Sequence, residues 1–276
     1  MSSRSTSSIS RLIVELRAAF LKDLRSYIRQ PAWVLGDLVS APLWFFFFAI
    51  GLTLFAPTTP TAPKTSGFSF FVLGFVFIIL FGTSVWGIGQ SVRNEQTAGT
   101  LEQFFLAPAS RATLILGRWA RIFLTDALII GYVTLIMYVI GSGLVTLLDP
   151  GLFLFGLVLF ELGAIGFGLF IAGLTLKLKS YNTVSNLIFF GYMILTGALF
   201  PVTVVPIPFR YVCMAIPFTY FIDLMRHAAL ATPTILSAGI EYPAAILLAV
   251  AMLLVGFFVF RRVEESVRMT GSIATS

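Results

Sequence analysis

Glu161 stands in an otherwise apolar run, LFLFGLVLFELGAIGFGLFIAGL, from Leu152 to Leu174. A carboxylate there is costly unless it faces protein, water or a partner, so it either hydrogen-bonds a neighbouring helix or belongs to a path for a proton or solute. It has no companion for catalysis. The apolar stretches contain no H-E-x-x-H, no paired intramembrane aspartates and no Ser/His couple, which disfavours an intramembrane enzyme. Asp126 lies one turn past Arg121 and reads as the partner of a basic residue near an interface; Asp37 reads the same way. Asp223 and Arg226, at i and i+3, can pair along a short helix. His227 is the single histidine, and without Cys, His or Glu at ligand spacing it predicts no metal site. Cys213 is the single cysteine, which excludes an intrachain disulfide.

A second group of residues could do mechanical work. The segment Arg93 to Arg111, RNEQTAGTLEQFFLAPASR, is a polar island between two apolar stretches. Gly99 can end one helix, and Thr100 followed by Gln103 has the spacing of a capping box that starts another. Leu101, Phe104 and Phe105 then share one face, until Pro108 stops the helix and Ser110 offers a new N-cap. Glu95 and Glu102 flank that face, a charged rim around an apolar knob. From pattern alone the island reads equally as a docking element and as an ordinary loop whose Phe residues rest on lipid or on the N-terminal helix.

The elements that must position these residues follow from composition. Of 276 residues, 58% are hydrophobic and 11% charged, with a mean hydropathy of +0.97, so the chain is read as an integral membrane protein and not as a soluble basic one. The net charge of +6 is then a matter of sidedness, and nucleic-acid binding is not expected. A helix needs about 20 apolar residues to cross a bilayer, and that length predicts six spans: Val34 to Phe55, Phe68 to Val92, Ile122 to Leu148, Leu152 to Leu176, Val184 to Leu199 and Ala244 to Phe260. Fifteen Lys and Arg fall to one side, leaving Lys64, Arg210 and Arg226 on the other; the positive-inside rule puts both termini and the island in the cytoplasm. Ile9, Leu12, Ile13, Leu16, Phe20, Leu24 and Tyr27 recur at helical spacing before Pro31, predicting an amphipathic helix in the inner interface or packed on protein. No signal peptide is expected, for want of a continuous apolar run in the first 30 residues. Ala164, Gly168 and Ala172 form a small-residue stripe that marks a packing face.

The run E-x-x-x-G-T-L-E at Glu95, Gly99, Thr100, Leu101 and Glu102, followed by Pro108, Ser110 and Gly117, resembles the first cytoplasmic loop of type-2 ABC exporter permeases. The stretch GALFPVTVVP, from Gly197 to Pro206, and the run IPFTYFIDLMR, from Ile216 to Arg226, are similar to the outer re-entrant segment of the same family. The resemblance implies an all-α polytopic fold, with residues 1–31 forming the N-terminal interfacial helix and 32–276 a six-span domain. Within that domain it implies a coupling loop at 93–113, an outer re-entrant segment at 200–230 and a cytoplasmic tail at 261–276. Glu95, Gly99, Thr100, Leu101, Glu102, Phe104 and Phe105 would then couple to two nucleotide-binding ATPase subunits. Gly197, Pro201, Pro206, Pro217, Asp223 and Arg226 would build the outer gate. It further implies a second permease copy, in a homodimer, and a place in the plasma membrane. No G-x-x-x-x-G-K-[ST] phosphate cradle occurs in these residues, so ATP and Mg are expected on the partner ATPase and no cofactor on this chain. The expected function is export of an amphipathic solute: a lipid-linked glycan, a glycolipid or a hydrophobic drug. A proton-coupled secondary transporter using Glu161 is the alternative, weakened by two halves that differ in their punctuation.

Overall fold

The computed structural model describes residues 8–55, 64–97, 111–139, 147–175, 181–202 and 205–270. Among the described residues the fold is all-α, with no strand. Its helices are α1 Ser8–Ile28, α2 Pro31–Phe55, α3 Lys64–Thr97, α4 Arg111–Val139, α5 Pro150–Thr175, α6 Tyr181–Leu195, α7 Ile207–Met214, α8 Pro217–Leu230 and α9 Ala238–Thr270. Each of the six predicted apolar stretches is matched by a helix, with shifted ends. Proline opens α2, α5 and α8, where its missing N–H costs nothing. The span read from Ile122 belongs to a helix that starts at Arg111, directly after Ser110, the N-cap that the sequence offers. The fifth ends at Leu195, four residues early; Gly197 sits at φ +76, a left-handed conformation that a helix cannot continue through.

Among the described residues three helical segments are long and apolar enough to cross a membrane: Phe70–Gly87, Pro150–Leu174 and Ala238–Val263. The pair α7 and α8, bent by 93° at its break, makes a fourth if counted as one span. In α4, Arg118, Arg121 and Asp126 dilute the apolar run. The 15 residues of α6 rise only about 22 Å.

The core gathers where α3, α5, α6, α8 and α9 meet. Phe77, Phe81, Phe160, Phe218 and Phe221 are buried there together with Tyr192, Ala164, Ala245 and Ala249. Phe81 stacks on Tyr192 with ring centroids 3.7 Å apart, and the Tyr192 hydroxyl donates to the Phe77 carbonyl at 3.1 Å. Between helices in lipid, such close packing and hydrogen bonding replace the exclusion of water that drives folding elsewhere. The small-residue stripe serves this chain's own packing: Ala164 lies in that core, and Ala172 joins Ile122, Ile165, Leu169 and Phe260 in a second cluster.

The α1 helix packs one face on the start of α4. Ala19 is buried opposite Gly117, where a Cβ would press on the Ala19 methyl group. Arg118 Nε donates to Asp23 Oδ2 at 2.7 Å, and the Arg121 guanidinium lies 5.1 Å from the centre of the Tyr27 ring. Leu12, Ile13, Val14 and Ile28 stay exposed, so a second apolar set faces away from the protein.

Candidate functional site

Glu161 and Asp126 are buried among the long helices, each beside a neutral donor. Glu161, on α5, is 7% exposed and accepts from the indole Nε1–H of Trp119, on α4, at 3.1 Å. The Trp119 ring stacks on Phe123 at 5.6 Å, which holds the N–H in place. Seven residues along α4, and thus on the same face, Asp126 Oδ2 accepts from the Thr83 hydroxyl of α3 at 2.5 Å. The expected interfacial pairing of Asp126 with a basic residue is therefore supplemented by a hydroxyl contact, while its charge still acts on Arg121. A glutamine at 161 keeps an oxygen for the indole, whereas a leucine leaves a buried N–H unpaired. Glu161→Gln should therefore hold thermal stability to within about 1 kcal/mol and Glu161→Leu should lose about 1–3 kcal/mol, as read by melting of the purified chain.

The second polar centre lies where α6 ends. Arg226, on α8, is 4% exposed, and its two terminal nitrogens donate to the Gly197 and Ala198 carbonyls. These carbonyls lie just past Leu195, the last residue of α6, where no helical ladder runs on to pair them. The guanidinium carbon also lies 3.5 Å from the centre of the Phe70 ring, a cation–π contact across to α3. The expected i, i+3 ion pair is not what binds these residues: Asp223 Oδ2 accepts from the Ile235 amide at 2.8 Å. The Arg226 charge acts on Asp223 through space only. A geometric reason is at hand, since a planar fork serves two neighbouring carbonyls better than one carboxylate set beside a backbone amide.

The predicted prolines punctuate as expected. Pro206 is the N-cap of α7 and Pro217 opens α8, while Pro201 is exposed in the turn after α6. Gly197, Asp223 and Arg226 are brought into one region. Of the coupling residues, Glu95 falls in α3, and Gly99, Thr100, Leu101, Glu102, Phe104 and Phe105 lie outside the described residues, as do Pro108 and Ser110. Trp119 and Thr83 were not singled out by sequence reading, because only the fold sets them against an acid. Glu241 was missed as well. It is wholly buried in the first turn of α9, and its Oε2 accepts from the Leu236 amide at 2.8 Å. The signal available was an acidic residue beside a helix start, a weak one.

No curated protein matches this chain. A family model described as ABC-2 type transporter does, over residues 5–230, a range that takes in the island, the buried acids of α4 and α5, and the bent pair that carries Arg226. The chain is therefore a multi-pass transmembrane component of an ABC-type transporter, from a family that works with ATP-binding subunits, and it belongs to the ABC-2 type transporters.

Proposed function

We propose that this chain is the permease subunit of an ATP-driven exporter that carries an amphipathic solute outward across the plasma membrane. The solute class is a lipid-linked glycan, a glycolipid or a hydrophobic drug. The observation that carries the reading is the family match over residues 5–230, joined to a sequence without a phosphate cradle. Two copies of the chain pair as a homodimer and dock two ATPase subunits, which bind ATP and Mg; the chain itself does no catalysis. Six crossings leave both termini in the cytoplasm, α1 lies in the inner interface, residues 93–113 couple to the ATPase, and residues 200–230 turn back within the outer leaflet. Residues 261–276 form the cytoplasmic tail. The exposed Leu12, Ile13 and Val14 of α1 support the interfacial placement.

The test is association. Leu101→Asp or Phe104→Asp puts a charge on the docking face and should reduce co-purification of the ATPase at least about tenfold, the cost of one buried unpaired charge, while the permease elutes as a folded species. Unchanged co-purification by both variants would falsify the coupling assignment. Glu161, buried with a single hydrogen-bond partner on α4, supports proton-coupled transport as the second reading. Solute movement in vesicles on a pH gradient without ATP decides for that reading, and its absence decides for the ATPase-driven one.

A further inference from the structure

Asp223 of α8 and Glu241 of α9 hold consecutive amides of the loop between them, Ile235 and Leu236, at 2.8 Å each. The two carboxyl groups are thereby drawn into hydrogen-bonding reach of each other. Glu241 is 0% exposed, and its second oxygen, Oε1, finds no hydrogen-bond donor among the described residues. A buried carboxylate oxygen without a donor is destabilising, and two ionised carboxylates side by side repel strongly where water is excluded. One proton removes both penalties: it turns one carboxyl into a donor and leaves a single negative charge for the loop amides.

We propose that Asp223 and Glu241 bind one proton between them, a single shared proton site that fastens the start of α9 to α8. The proton comes from water and returns to it. The groups facing Asp223 are Arg226 and His227 on its own helix, and the one that Glu241 faces besides Asp223 is Tyr220 of α8. Among the described residues neither the loop nor α5, which packs on both helices, brings another charge to the pair. The His227 ring is itself engaged, its Nδ1–H donating to the Thr232 carbonyl at 2.6 Å. When the proton leaves, the two carboxylates push α9 away from the α8 end where Arg226 holds the broken end of α6. The site thus makes the joint between the bent pair and the last long helix sensitive to pH on the side it faces, whatever solute the protein carries.

The sign follows from proton counting. The folded pair keeps a proton at a pH where two carboxyls of the unfolded chain hold none, so raising the pH destabilises the fold. In the purified full chain in lipid nanodiscs, the apparent melting temperature should fall by a few degrees between about pH 6 and about pH 9. Glu241→Gln and Asp223→Asn each supply a permanent amide donor to the remaining carboxylate, and each should flatten that dependence. Infrared spectra at neutral pH, taken in a Glu161→Gln background so that no other buried glutamic acid contributes, should show a protonated-carboxyl band that vanishes in both variants, since the proton belongs to the pair. A band that survives either substitution, a variant that keeps the wild-type pH profile, or a wild-type melt that does not fall with pH overturns the proposal. Each variant decides by itself, and the wild-type melt decides without them.

Discussion

Gly256→Val will not yield a folded chain. α9 crosses α5 at Gly256 and Gly166, and a Cβ at Gly256 would land on the Gly166 carbonyl oxygen and carbon. A Cβ at Gly166 would in turn meet the Met252 carbonyl. These obstacles are main chain, which cannot swing aside as the tip of a side chain can, so the helices must separate along their whole contact. That contact is the most extensive between any two helices here, and losing its fit should cost at least about 3 kcal/mol, the upper range for overpacking a core. Even Gly256→Ala should lower the melting temperature markedly. Gly131, on α4, is the control: a Cβ there meets nothing within 4 Å. Gly131→Ala should hold or raise stability, since alanine favours a helix over glycine by about 1 kcal/mol. Monodisperse yield and thermal melting separate the two; a well-folded Gly256→Val protein would show that α5 and α9 do not cross there.

Arg226→Met should cost about 3 kcal/mol or more. Two hydrogen bonds from a charged donor are lost, each about 1.5–3 kcal/mol, together with a desolvated cation–π contact worth about 2 kcal/mol. The saving from no longer burying the charge offsets part of this. The Gly197 and Ala198 carbonyls are left unpaired at the point where α6 has already broken. Arg226→Lys should recover only a part, because an ammonium is a point donor and cannot present a two-pronged fork. Were Arg226 and Asp223 an ion pair, as their spacing suggests, Asp223→Asn would reproduce the loss. The bonding seen here predicts that it does not, and thermal melts of the three variants distinguish the cases.

The helices were legible because each rests on a local cause. Apolar runs of span length and the spaced apolar face of α1 announced their elements, and the end of α1 before Pro31 came out as read. Ends were less legible. The stop at Leu195 depends on a positive φ at Gly197, and a glycine inside an apolar run permits that conformation without requiring it. The start of α4 at Arg111 was legible from Ser110 as an N-cap and not from hydropathy, which marks where a helix is apolar and not where it begins.

The polar centres divided along the same line. Glu161 stood out in the sequence because charge among apolar residues is costly at any position in a membrane, and Asp223 and Arg226 because their i, i+3 spacing could pair them. That cost is a property of one residue and its neighbours along the chain. What pays it is not local: Trp119 lies 42 residues from Glu161, Arg226 reaches carbonyls 28 and 29 residues away, and Glu241 meets Asp223 only because α9 folds back beside α8. By itself the sequence determined the class of protein, its helical elements and the family signature that says how it is driven. Only the tertiary structure decided which donor meets which acceptor, since hydrogen bonds act over about 3 Å and depend on direction, and distances that short between remote residues exist only once the helices have packed.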